Sequence, residues 1–121
     1  MPQKPKVLIV EDNPSYQNSY AMRLREKVKI LRAMTLKEGE RLFTRNPDIA
    51  LVVMDACVPG ENLNSIPLVR KIRETFHGPM LAASSDPYFC LDLMKAGCSH
   101  QVKKGSKYMV PNLVLRILGI Q

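Results

Sequence analysis

Short apolar runs alternate along the chain with segments whose apolar residues recur every three or four positions. The runs fall at residues 7–10, 28–33, 49–54, 80–84 and 99–103, the last being the weakest. Runs of this length and composition predict strands. After the first run, Tyr20, Ala21, Leu24 and Val28 have helical spacing over residues 15–27, and Pro14 suits the first turn of a helix. Thr35-Leu36-Lys37-Glu38 has the form of a capping box. The helix it opens would turn Leu36, Gly39, Leu42 and Phe43 to the sheet and stop at Asn46-Pro47. Ser65 is placed to cap a third helix with Ile66, Val69, Ile72 and Phe76 on one face, closed by Gly78-Pro79. Asp86 is placed to cap a fourth over residues 87–96, with Gly97 as its stop. Ser106 is placed to cap a fifth, with Val110, Leu113, Val114, Ile117 and Leu118 apolar and Pro111 in its first turns.

Five strand–helix repeats of this kind predict an α/β fold. The apolar runs do not alternate with polar residues, so both faces of the sheet are covered, as in parallel sheets. Right-handed crossovers then make the sheet doubly wound. Ligands of such sheets bind beyond the carboxyl ends of the strands. Glu11, Asp12, Asp55, Ser84 and Lys104 all fall at or just past predicted strand ends. They converge if the sheet forms.

A chain of 121 residues is long enough for one self-sufficient domain, expected over 1–121 with a core of about 6–118. No apolar stretch reaches the length of a membrane span, and the basic start leads into only four apolar residues, too few for a signal peptide. A cytosolic location is expected. Cys57, Cys90 and Cys98 are odd in number and lack metal-ligand spacing, so they read as reduced thiols. The formal net charge of +7 raises nucleic acid or an acidic partner. The basic residues are dispersed, which favours solvated helix faces over a nucleic-acid site.

Asp55 carries the most chemistry. It closes the apolar run at 49–54, and Pro59-Gly60 follows it closely. The first strand ends in acid as well, at Glu11-Asp12. Ionised carboxylates are costly to bury unless paired or bound to a cation. Two of them at about 4 Å and an effective dielectric near 20 repel by about 4 kcal/mol. Mg²⁺, which takes oxygen ligands and keeps several waters, relieves that repulsion. Asp12 and Asp55 are the candidates for direct ligands, Glu11 through water, with the backbone carbonyl of Cys57 as a further oxygen. A carboxylate can also attack phosphorus. Lys104 would then cover phosphoryl charge, and the Ser84 hydroxyl would donate to a phosphoryl oxygen.

In joint order and spacing, residues 7–14, Asp55 with Pro59-Gly60, Ser84, and Gly97-Cys98 leading to Lys104 resemble the receiver domain of two-component response regulators, over about 6–118. The resemblance implies a flavodoxin-like (βα)₅ sheet of strand order 2-1-3-4-5. It implies Asp55 as phosphoacceptor, Glu11 and Asp12 as the acidic pair for Mg²⁺, Ser84 as switch hydroxyl and Lys104 as phosphate-pairing lysine. It also implies a sensor histidine kinase or phosphotransfer protein as donor, and a downstream effector protein. A monomer or weak dimer is expected. Several positions depart from the family pattern. Gly105 stands where proline usually follows the lysine, leaving Lys103 as an alternative. Gln101 stands at the aromatic switch position, and Ser85 where alanine is common. The loop after Gly60 is longer than usual and the segment from Ser84 to Gly97 shorter.

Singly, these residues have plainer explanations. Glu11 suits a helix N-terminus, Asp12 an N-cap, Ser84 a turn and Lys104 the surface. With Asp55, five residues at strand ends in one order tip the balance to a site. Tyr88, Phe89 and Met94 read as packing residues, and His77 and His100 have no ligand role. Two other readings stand beside the phosphoacceptor switch. One is a small Mg²⁺-dependent phosphotransfer enzyme or hydrolase, for which Asp86 and Glu61 are the nearest acid–base candidates. The other is a degenerate receiver that binds a partner without phosphorylation.

Overall fold

The strands β1 (Lys6–Val10), β2 (Lys29–Ala33), β3 (Ile49–Asp55), β4 (Met80–Ser84) and β5 (His100–Lys103) lie parallel in one sheet of order β2-β1-β3-β4-β5. Between and after them run α1 (Pro14–Leu24), α2 (Leu36–Arg45), α3 (Ile66–Arg73), α4 (Pro87–Ala96) and α5 (Met109–Leu118). This computed structural model describes residues 3–121. The fold class and strand order are those expected.

The unbroken apolar runs are explained by two core layers, one on each face. Val52 and Met54 of β3 join Leu8 and Val10 of β1 in the layer under α2, α3 and α4. Leu51 and Val53 join Val7 and Ile9 in the layer under α1 and α5. Successive strand residues therefore bury to opposite sides, and β1, β3 and β4 are closed to water almost throughout. Burial of each such side chain stabilises the fold by roughly 1.5–3 kcal/mol before entropy is counted. No helix among the described residues is long and apolar enough to cross a membrane.

Local chemistry sets the helix ends. Asn13, not Asp12, caps α1: its side chain accepts from the Ser15 N–H at 2.8 Å, with Pro14 in the first turn. Thr35 caps α2 through the Glu38 N–H, and the Glu38 carboxylate reaches back to the Met34 N–H. Asp86 caps α4 through the Tyr88 N–H, and Gly97, at φ 140°, ends it. Two expected caps fail. The Ser65 hydroxyl instead donates to the Ala56 carbonyl at 3.0 Å, fastening the loop below β3. Ser106 accepts from the Tyr108 N–H in a preceding turn, and α5 begins only at Met109. Phe76 lies beyond the end of α3 and packs on the core from the following turn. Tyr88 is 75% exposed rather than packed, whereas Phe89 and Met94 rest on the core.

Two close approaches lock the layers. Gly39 brings α2 against β1, where a Cβ would stand 2.9 Å from a Val10 methyl. Arg73 donates to the carbonyls of Gly97 (2.7 Å), Phe76 (3.0 Å) and Gly78 (2.6 Å), tying α3 to the end of α4 and the entry to β4.

Candidate functional site

Strand register assembles the site. Val10 lies beside Met54, Asp55 beside Ala83, and Ser84 beside Lys103. The residues that leave β1, β3, β4 and β5 at their carboxyl ends are therefore neighbours. Glu11, Asp12, Asp55, Cys57, Ser84 and Lys104 all line one cavity of about 370 Å³. Residues spread over most of the sequence meet at one rim of the sheet.

The three carboxylates lie close together. Glu11, Asp12 and Asp55 each present an oxygen within 4.8 Å of the others. Glu11 and Asp55 are buried, and Asp12 is half-buried. Because Asn13 serves the helix cap, Asp12 is released from that task. Glu11 accepts from the Asn13 N–H at 3.1 Å through Oε2. Burial and the Glu11 carboxylate push Asp55 up to about 7, against the downward pull of Lys104. That upward push is the electrostatic signature of a site short of positive charge. The donor set is all oxygen and anionic, which fits a hard divalent cation such as Mg²⁺.

Lys104, not the exposed Lys103, turns inward. Its ammonium pairs with Glu11 and lies 3.3 Å from Asp55 Oδ1. The contact with Glu11 was not foreseen from sequence. Burial alone would lower the lysine pKa, but the Asp55 and Glu11 carboxylates outweigh it and hold it above its ordinary value. Gly105 does not leave this residue adrift. The Lys104 N–H donates to the Ser84 carbonyl at 3.1 Å, and the Gly105 N–H turns back to Lys103 at 2.9 Å. Ser84 is buried, and its hydroxyl accepts from the Asp86 N–H at 3.1 Å while its own hydrogen remains to be donated. Gln101 is exposed on β5.

Four contributors escaped the sequence reading. Gln17, fully buried on α1, donates to the carbonyls of Ile9 and Glu11 and so fixes the turn that carries the acids. It sits in helical register with Tyr20, Ala21 and Leu24, and a polar residue on an apolar face was the available signal. The Tyr16 ring lies 4.1 Å from the Lys104 ammonium, a cation–π contact on the lysine's flank. The buried Tyr20 hydroxyl has its pKa raised by burial and by Glu11. In the long loop after Gly60, the Asn64 side chain accepts from the Val58 N–H and donates to the Val58 carbonyl, clamping both ends.

Other titratable groups are engaged elsewhere or remote. Asp86 and Glu61 line the cavity, but Asp86 is committed to capping α4. The three cysteines are free, and burial raises each thiol above its ordinary value, Cys98 to about 12. His100 meets only the Ser99 hydroxyl among the described side chains.

No family model matches the chain, and no curated protein matches it in sequence. Solved structures do match it in three dimensions. A two-component response regulator from Clostridium difficile superposes with a TM-score of 0.82 at 18% identity, over 96% of this chain and 97% of that one. A CheY-like response regulator receiver domain protein from Methanospirillum hungatei gives 0.79 at 18%, over 97% and 92%. The Vibrio cholerae chemotaxis protein CheY4 gives 0.80 at 16%, over 94% and 98%. The chain therefore has the fold of the CheY-like response regulator receiver domains.

Proposed function

We propose that the chain is a single receiver domain, a signalling switch rather than a turnover enzyme, phosphorylated on Asp55. The observation that carries this reading is the meeting of Glu11, Asp12 and Asp55 with Lys104 and Ser84 in one cavity. Glu11, Asp12, Asp55 and the Cys57 backbone carbonyl would hold Mg²⁺. When bound, the ion neutralises the carboxylates and the oxygens of an incoming phosphoryl group.

Asp55 is the nucleophile. A carboxylate oxygen attacks the phosphorus of a phosphohistidine on a sensor kinase or phosphotransfer protein. The phosphorus–nitrogen bond breaks, and the histidine leaves with its electron pair. Lys104, already 3.3 Å from Asp55, moves from carboxylate to phosphoryl oxygen with little displacement. Ser84 turns its free hydrogen to a second oxygen. These charge-assisted bonds contribute roughly 1.5–3 kcal/mol each. Two of them supply much of the ~5.5 kcal/mol that carries a two-state equilibrium from 1:99 to 99:1. The β4–α4 and β5–α5 loops move with them and change what an effector protein finds on the surface. Hydrolysis of the acyl phosphate resets the switch in the cytoplasm.

Acetyl phosphate with Mg²⁺ tests the assignment. One phosphoryl group per chain is expected by intact mass, lost on removal of the metal and in Asp55→Asn. Stoichiometric labelling of Asp55→Asn would assign the nucleophile elsewhere. Multiple turnover of a small phosphomonoester would point to the hydrolase reading instead.

A further inference from the structure

We infer that the open edge of β2 is a docking strand for an extended acidic segment of a protein partner, which adds to the sheet beside it. Among the described residues β2 is paired on one side only. The Lys29 N–H donates to the Pro5 carbonyl, and the Ala33 carbonyl accepts from the Glu11 N–H. Residues of one parity in a parallel ladder turn both backbone groups to the same neighbour. Lys29, Leu31 and Ala33 thus face β1, and Ile30 and Arg32 direct their N–H and C=O groups out along the edge.

The groove at this edge has a one-sided charge. It spans about 820 Å³ and is lined by Lys4, Lys6, Arg25, Lys29 and Arg32, with no carboxylate. Lys6 is paired with Asp48 at 2.9 Å. Among the described residues the other four have no carboxylate partner. Lys4 instead donates to the Arg25 carbonyl at the end of α1, which holds its charge beside the edge. The half-buried Ile30 supplies an apolar floor between the cations.

An extended chain in which acidic and apolar residues come in pairs, as in repeated Glu-Val-Val-Glu, answers both faces of this edge, because side chains at i and i+2 share a face. Its backbone meets Ile30 and Arg32, its carboxylates meet the cations, and its apolar side chains cover Ile30. A phosphate or a nucleic acid answers only the charge, and no aromatic ring in the groove offers a base a stacking partner. The same cations repel a second copy of β2, so the edge rejects self-pairing while admitting an acidic strand. The edge lies at the opposite side of β1 from β3 and β4, so the inference does not depend on Asp55 chemistry.

The test is a titration of the full chain, followed by backbone amide NMR and hydrogen exchange, with a peptide of about eight residues that repeats Glu-Val-Val-Glu. The Ile30 and Arg32 amides are expected to shift and gain protection. Binding should weaken with added salt and by about tenfold or more in the Lys29→Glu/Arg32→Glu variant, from loss and reversal of cross-strand charge pairs. Both positions are exposed, so that variant should keep its circular dichroism and its Mg²⁺ response. A peptide with Pro in place of Val should not protect the edge. The inference is overturned if the Glu–Val peptide leaves these amides unmoved, if charge reversal does not weaken it, or if the prolyl peptide protects equally. It is also overturned if a single-stranded oligonucleotide or tripolyphosphate protects the same amides as well as the peptide does.

Discussion

The Lys104 ammonium lies 3.3 Å from Asp55 Oδ1 and pairs at the same time with Glu11, so one cation already sits among the acids that a metal would share. Removing it leaves three carboxylates with no internal counter-charge. Lys104→Met should therefore bind Mg²⁺ more tightly, by a factor on the order of ten, as read by isothermal titration. The same variant should lose the response of β5 amides to a phosphoryl mimic. Weaker Mg²⁺ binding in Lys104→Met would mean that the lysine supports the metal site rather than competing with it.

The raised pKa of Asp55 makes stability depend on pH in a definite direction. Asp55 titrates near 7 in the fold, because of burial and Glu11, and near 3.8 when unfolded. Between those values the native state holds a proton that the unfolded chain has released. Without a divalent cation, unfolding free energy should fall as pH rises from about 4 to 7, by at most about 1.4 kcal/mol per unit. It should level off above that window. Mg²⁺ should flatten the slope, since it competes with the proton for the same carboxylates. Urea denaturation across this range, with and without Mg²⁺, gives the measurement. An Asp55→Asn variant should lose most of the slope.

Ser84→Ala separates the structural from the signalling task of the hydroxyl. Among the described residues its bond is from the Asp86 N–H, so the loss of stability should be about 1 kcal/mol. Labelling of Asp55 by acetyl phosphate should persist, while the amide shifts that labelling produces in the β4–α4 loop shrink. Full shifts in the alanine variant would exclude a role for this hydroxyl in the response.

Arg73 has no part in the site, and its removal should register as stability alone. It donates to three carbonyls of two connections, so Arg73→Ala should cost about 2 kcal/mol or more in denaturant unfolding. Mg²⁺ affinity of the folded variant should be unchanged.

Element identity and the acidic rim were legible in the sequence because both rest on local signals. A buried strand needs an apolar run, and Asn46-Pro47 and Gly97 punctuate the chain where helices end, whereas α3 stops at Arg73, before the Gly78-Pro79 expected to close it. Asp55, Glu11 and Lys104 were legible because carboxyl ends of parallel strands meet whatever the helices do. Side-chain partners were less so. Ser65 and Ser106 have the same form as Thr35, yet the Ala56 carbonyl lies within reach of Ser65, and Ser106 precedes a turn rather than a helix. Gln17 and Asn64 act through backbone groups brought near by tertiary packing, which no local pattern encodes. The one-sided charge of the β2 edge was hidden by dispersion, since Lys4, Arg25 and Lys29 come from separate stretches of the chain, before β1, at the end of α1 and in β2.

The most direct test of the central claim is joint binding of Mg²⁺ and beryllofluoride, followed by amide NMR of the full chain. Each should require the other, and together they should shift Asp55, Ser84 and Lys104 in one saturable transition that Asp55→Asn abolishes. Beryllofluoride binding that ignores Mg²⁺, or that persists undiminished in Asp55→Asn, would contradict the account.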